Sequence, residues 1–322
     1  MEKPNVLVIY RFLPQYRVEF YEQLREELHS NGIVLNLVYG KHKDSNALKR
    51  DEVDLPWAHY VPNRTVGVGR YELIWQPCWR WIRTHDLIVV EQANRLLLNY
   101  LLMFRRRVLP TKLALWGHGL NLQAEPDSLR NRLKRLYIKQ CDWWFAYTES
   151  VKEIIVKAGY PESRITVVQN AIDTHGLAEA YAELTKAEVE AARQQLGLRD
   201  GFTGLFCGGM YREKRLDFLV QVCDKIKQRV PEFQMLFLGA GPEAEKVQEA
   251  ARRRDWVHYV GPKFGKERLV FFKLADVLLM PGLVGLVILD SFATQTPMIT
   301  TNFPYHSPEI EYLQSGDNGL MV

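Results

Sequence analysis

The stretch Val277–Thr301, VLLMPGLVGLVILDSFATQTPMITT, decides the fold. It reads as a buried strand (Val277–Met280), a Pro-Gly turn, a helix that starts at Gly285 and runs apolar to Ala293, and a second strand, Met298–Thr301. A strand that passes through a glycine-bearing turn into a helix leaves backbone N–H groups converging on one point. The positive end of the helix dipole stands behind them. Such a point attracts an anion, most often a phosphate. Asp290 lies near the same helix start, where a carboxylate accepts hydroxyl hydrogen bonds. These residues alone leave a second reading open, an ordinary βαβ unit whose glycines only make turns.

The chain on either side repeats the same alternation. From the N-terminus, the strand Asn5–Tyr10 is followed by an amphipathic helix from Gln15 to about Leu28 and the strand Val34–Tyr39. Lys41–Asp54 is charged and unperiodic, as an exposed loop would be, and Ala58–Pro62 fits another strand. A Trp-rich segment, Tyr71–Arg83, reads as a helix. Then come strand Asp86–Glu91, helix Arg95–Arg107, strand Lys112–Gly117, helix Ser128–Gln140, strand Trp143–Tyr147, helix Ser150–Gly159 and strand Ile165–Val168. After Asn170–Thr174, a polar helix runs to about Leu196, and a new series opens at Gly201. It has strands at Gly204–Cys207, Gln234–Leu238 and Val257–Val260, with helices at Leu216–Arg229, Pro242–Arg254 and Lys266–Leu274. Strands alternating with helices of this length predict parallel, doubly wound α/β sheets. The boundary falls near Asp173, giving residues 1–172 and 173–322 as two Rossmann-like domains. The last residues, Gly319–Val322, read as a strand with no closing helix, as in a chain trimmed at its C-terminus.

Composition agrees. The chain has 322 residues, too many for one ordinary core, with 47% hydrophobic and 25% charged residues. Cys78, Cys141, Cys207 and Cys223 form no CxxC pair, so neither zinc nor a disulfide framework is supported, and a reducing cytoplasm suits them. The N-terminus runs directly into a strand without a leader. The apolar run Leu96–Phe104 is far short of the roughly 20 residues that span a bilayer. Basic residues exceed acidic ones by seven in the first 170 residues and fall three short in the rest. A basic first half favours an anionic partner such as a membrane face, against the plainer reading of a solvated surface with ordinary charge scatter.

Residues able to carry chemistry gather at strand ends. In GLFCGGMYREKRL, Gly208 and Gly209 follow a strand and Arg212, Lys214 and Arg215 come next. Glycines admit a ligand close to the backbone, and a cation there neutralises a diphosphate. Cations at a helix start are otherwise unfavourable. LFLGAGPE, residues 236–243, repeats strand, Gly-x-Gly and helix start. It lacks the third glycine and the later acid of the dinucleotide pattern, which disfavours a nicotinamide enzyme. His118 sits between two glycines in LWGHGLN, Glu91 ends the strand LIVVE, and Arg17 lies in RFLPQYR after the first strand. Each of these also has a plainer reading as a packing or surface residue.

In this order the pieces VVQNAIDT, GGMYREKRLDFLV, FLGAGPE, PGLVGLVILDSFATQTPMITT and SPEIEYLQSGDNGLMV resemble the retaining nucleotide-sugar glycosyltransferases of family 4, which have the GT-B fold. The resemblance covers nearly the whole chain. It implies two Rossmann-like domains facing across a cleft, the first binding an acceptor and the second a nucleotide-sugar donor. It implies that Lys214 meets the donor diphosphate, that Asp290 meets the ribose hydroxyls, that the backbone at Gly285 and Leu286 faces the distal phosphate, and that His118 lines the transferred sugar. Two positions depart. Gly209 stands where the family carries an arginine, for which Arg212 is a candidate substitute, and Gly282 stands where the first of two acids would touch the donor sugar. Glu91 and Arg17 are further candidates for acceptor or sugar contact. The implied reaction needs no metal or cofactor beyond the donor. The implied partners are a nucleotide sugar and a glycan or lipid-linked acceptor, with no nucleic acid, and the implied place is the cytoplasm or the inner membrane face. A catalytically inactive nucleotide-sugar-binding or scaffold protein and a GT-B-fold nucleotide-sugar epimerase are the rival expectations.

Overall fold

The computed structural model describes residues 3–41, 53–68, 71–106, 110–119, 137–199 and 201–322. The chain forms two compact units, Met1–Ile172 and Asp173–Val322.

The first unit holds a sheet built from β1 (Asn5–Tyr10), β2 (Val34–Tyr39), β3 (His59–Tyr60), β6 (Leu87–Glu91), β7 (Lys112–Gly117), β8 (Trp143–Ala146) and β9 (Ile165–Val167). Their order is β3-β2-β1-β6-β7-β8-β9, with every pair parallel. Central parallel strands are buried on both faces, which is why they read as unbroken apolar runs. Leu7, Leu37, Leu115 and Trp144 are fully enclosed, each worth about 1.5–3 kcal/mol or more of burial. The indole of Trp144 donates to the Ile138 carbonyl at 2.9 Å, so its one polar atom is satisfied.

The Trp-rich segment departs from expectation. In place of a helix over 71–83, β4 (Arg64–Val68) and β5 (Tyr71–Trp75) pair antiparallel, and only Trp79–Ile82 is helical. TVGV and YELIW place β-branched, aromatic and apolar residues where a two-stranded ladder accepts them more readily than a helix. Most of the expected loop Lys41–Asp54, and most of the expected helix Ser128–Gln140, lie outside the described residues.

The second unit holds β10 (Thr203–Cys207), β11 (Gln234–Leu238), β12 (Val257–Gly261), β13 (Val277–Met280), β14 (Met298–Thr300) and β15 (Gly319–Met321). Their order is β12-β11-β10-β13-β14-β15, again all parallel. The expected single helix before it is two, Thr174–Ala182 and Lys186–Leu196. Thr185 separates them by capping the second in a full capping box with Glu188. Phe206, Phe237, Phe272 and Met235 fill the core of this unit.

Each sheet reverses its strand order once, between β1 and β6 in the first unit and between β10 and β13 in the second. In open α/β sheets ligands bind outside the carboxyl ends of the strands at such a reversal. Most of the residues singled out by spacing lie at these two places, and His118 follows the adjacent strand β7.

Candidate functional site

At the second unit's reversal, β10 ends at Cys207 and the chain turns through Gly208, whose φ of +148° suits glycine. The Gly208 and Met210 N–H groups bond to Leu238 and Ala240 carbonyls at 3.0 and 2.8 Å, tying this turn to the one after β11. A 3₁₀ turn, Arg212–Lys214, follows. It turns Lys214 inward until the residue is only 5% exposed. The ammonium donates to the Leu283 carbonyl at 2.5 Å, and among the described residues no carboxylate pairs with it. Burial lowers its pKa from 10.5 to about 8. A buried cation with no counter-charge is costly, and an arriving anion relieves that cost.

The loop after β13 is held from three sides. The Leu283 N–H bonds to Glu213 O at 2.9 Å, and Arg215 donates to Pro281 O at 3.3 Å. The Val284 N–H donates to His306 Nδ1 at 3.0 Å, while His306 Nε2 lies 2.9 Å from the Thr301 carbonyl. Those partners fix the neutral tautomer with the proton on Nε2. Burial keeps the His306 pKa below its ordinary value. The Ser307 N–H takes the Val284 carbonyl at 2.9 Å. The N–H groups of Gly285 and Leu286 have no partner among the described residues, and both residues are partly exposed. The helix itself begins at Val287, two residues later than expected, and runs to Ala293.

Gly282 has a steric explanation. A Cβ there would collide with the Glu213 carbonyl and come within 2.6–2.7 Å of the Lys214 backbone. The space that an acid side chain would need is filled by the chain of the Lys214 turn. Arg212, the candidate substitute for the absent arginine at Gly209, is exposed.

Asp290 is almost completely buried, and both its oxygens face one cation. Arg268 Nη1 and Nη2 donate to them at 2.8 and 2.6 Å. Burial pushes the Asp290 pKa up to about 6, against the opposing pull of Arg268. The expectation that this acid faces ribose hydroxyls meets a carboxylate already engaged. Arg268 carries no signal in the segment PKFGKERLVFF, where three other charged residues surround it. Only the packing of the 3₁₀ turn Gly265–Arg268 against the helix Val287–Ala293 brings the two residues, 22 apart in sequence, together.

At the first unit's reversal, Arg11 follows β1 and Glu91 ends β6, and their side chains meet at 3.3 Å. Glu91 Oε2 is buried and unpaired. Arg17 is 2% exposed and donates to Asn170 Oδ1, with its guanidinium carbon 4.9 Å from the Trp116 ring centre and 5.8 Å from that of Tyr147. It is an enclosed cation over aromatic faces, not a surface group. His118 is exposed just past β7 and stands edge-on to Tyr147 at 4.5 Å between ring centres. The structure thus groups Glu91, Arg17 and His118 about the aromatic residues Trp116 and Tyr147. Neither aromatic was singled out by spacing, because both look like ordinary strand residues. Among the described residues no cluster of His, Cys, Asp and Glu is arranged to hold a metal ion.

Comparison with known proteins places this architecture. A family described as "Glycosyltransferase Family 4" matches residues 19–175, and one described as "Glycosyl transferases group 1" matches residues 201–322. A Klebsiella pneumoniae protein described as an uncharacterized 41.2 kDa protein in the cps region is 27% identical over 194 residues, which is 59% of this chain. The chain spans half the length of that relative. Among solved structures, Anabaena HepE in complex with UDP has a TM-score of 0.69 at 13% identity, covering 99% of this chain and 85% of that one. A glycosyltransferase from Rickettsia africae has a TM-score of 0.70 at 15% identity, covering 100% and 84%. Both units match a family description and both sheets have Rossmann order, so the chain has the GT-B fold and belongs to the group 1, family 4 glycosyltransferases.

Proposed function

We propose that the protein transfers a sugar from a nucleotide-diphosphate donor to an acceptor hydroxyl with retention of configuration, in the assembly of a cell-surface polysaccharide. The observation that carries this reading is Lys214, a buried ammonium that no carboxylate among the described residues pairs with, at the strand-order reversal of the second unit. In the loop whose Leu283 carbonyl holds this ammonium, the N–H groups of Gly285 and Leu286 have no partner among the described residues. A diphosphate would gain both, and the charge that grows on it as the sugar departs would meet groups already oriented. In front-face substitution the leaving phosphate takes the acceptor's proton, so no protein nucleophile is required. The donor and acceptor are the only small molecules this reading needs. The HepE structures in complex with UDP and with UDP-glucose support a nucleotide sugar as donor. The cps-region relative supports the polysaccharide role.

The first unit is read as the acceptor side, with His118, Glu91 and Arg17 lining it. Its exposed aromatics favour a lipid-linked acceptor at a membrane face, where the protein would bind peripherally from the cytoplasm.

A second reading, a nucleotide-sugar-binding protein without turnover, is favoured by Gly282 and Gly209 and by the engagement of Lys214 with Leu283. Thermal-shift measurements with UDP, GDP, ADP and their sugars test the site, since a ligand that binds the native state raises its stability. Slow hydrolysis of the stabilising nucleotide sugar supports transfer. Binding with no hydrolysis and no transfer to any acceptor favours the second reading.

A further inference from the structure

Arg268 ends the 3₁₀ turn Gly265–Arg268, where the chain leaves β12 and enters helix Leu269–Leu274. Its fork to Asp290 shuts the carboxylate, 4% exposed, behind a guanidinium whose side chain is 25% exposed. A ligand arriving from solvent therefore meets the cation before the acid. Of the three N–H donors that the fork leaves over, the one on Arg268 Nε is buried and has no acceptor among the described residues. A buried N–H left over in this way is normally satisfied by water or by a ligand.

The pair is also well placed. The thiol of Cys207, at the carboxyl end of β10, is buried within electrostatic range of Asp290, Arg268 and Lys214 together. The three charged groups thus converge on the end of one strand, beside the reversal. Asp290 neutralises Arg268 through the fork, and Lys214 adds an unpaired positive charge, so the sum is net positive and suits a diphosphate. Arg212, by contrast, points to solvent from its turn.

We propose that Arg268, anchored by Asp290, is the second cation that meets the nucleotide's phosphates alongside Lys214. Asp290 then acts as a positioning residue that holds the guanidinium, not as an acceptor for sugar hydroxyls. The proposal rests on the reading of this edge as a nucleotide-diphosphate site.

The test is calorimetric titration of the full chain with UDP, GDP and ADP, and with uridine, guanosine and adenosine as probes that lack phosphate. With the diphosphate that wild type binds, Arg268→Gln is expected to lose about tenfold or more in affinity, as for a charge-assisted hydrogen bond. Affinity for the matching nucleoside is expected to stay within about twofold, and Arg268→Lys to recover part of the loss. Arg268→Gln leaves a lone buried carboxylate, so Arg268→Met/Asp290→Leu is made beside it, because a buried ion pair is replaceable by apolar residues of similar volume. This double variant is expected to melt near wild type and still lose diphosphate affinity. A double variant that binds diphosphate as wild type does overturns the proposal and leaves the donor-site reading standing. Equal losses for nucleoside and diphosphate also overturn it, because they mark Arg268 as a support for the site's shape. A wild-type chain that binds no nucleoside diphosphate overturns the donor-site reading and the proposal together.

Discussion

Lys214 links burial to function through its proton. With its pKa lowered from 10.5 to about 8 by burial, the folded chain releases this proton earlier than the unfolded chain does. The cost of burying the charge is therefore present below about pH 8 and is relieved as pH rises from about 8 to 10.5. A bound diphosphate favours the charged form and raises the pKa again. Nucleotide binding is then expected to take up a proton near about pH 8.5 and to weaken as pH rises through that window. Titrations in buffers of different ionisation enthalpy measure the uptake, and binding without proton exchange there would remove Lys214 from the anion site. Lys214→Met is expected to keep or raise the melting temperature while lowering diphosphate affinity and turnover about tenfold or more. Full activity in that variant would sink the assignment. Gly282 makes the opposite case. Restoring the acid with Gly282→Glu forces a side chain into the backbone of the Lys214 turn, with an expected loss of about 1–3 kcal/mol as for other overpacked sites. Urea denaturation measures it, and an unchanged midpoint would show that the turn yields.

Among the elements, the loop Pro281–Leu286 depends on one imidazole. His306 accepts from the Val284 N–H and donates to the Thr301 carbonyl, so it bridges the segments that follow β13 and β14. His306→Ala strands a buried N–H and is expected to cost about 1–3 kcal/mol. It should weaken nucleotide binding as well, because Gly285 and Leu286 lie in the loop so held. His306→Gln, with an acceptor and a donor on one amide, is expected to restore part of both. Burial holds the His306 pKa below 6.5, so the unfolded chain takes up the proton first. This residue's contribution is complete above about pH 6.5 and is lost as pH falls below it. An alanine variant with wild-type melting and binding would refute the clamp.

The same loop shows what a sequence reveals. VLLM, LIVVE and MLFL are buried on both faces, and an unbroken apolar run leaves little else for them to be. The glycines and Lys214 were legible because local spacing alone brings them to strand ends. The β4–β5 ladder was not, because the Trp75 and Trp79 side chains that suggested a helix pack against each other across the junction between strand and helix. Arg268 and His306 were illegible for a different reason. Their partners, 22 residues away in each case, are chosen by tertiary packing, of a turn on a helix for Arg268 and of two loops for His306, and not by any periodic pattern.

For the whole molecule the question is where it works. No helix among the described residues is long and apolar enough to cross a membrane. The first unit nevertheless exposes a joined aromatic and basic patch. Tyr100 and Phe104 share a face of helix Leu97–Arg105 at i and i+4. Phe104 is 70% exposed, and Arg105 reaches over the ring of Trp79, itself 42% exposed. Aromatic side chains flanked by arginines suit the boundary between lipid headgroups and acyl chains, and basic residues add about 1 kcal/mol each near an anionic surface. The full chain is expected to sediment with vesicles containing anionic lipid and not with zwitterionic vesicles, and to be released by raised salt. Phe104→Ser/Trp79→Ser is expected to lower the bound fraction several-fold without changing nucleotide affinity, because that site belongs to the other unit. Equal sedimentation with both vesicle types would argue against an anionic surface as the partner. Undiminished binding by the double variant would move the contact elsewhere on the basic unit.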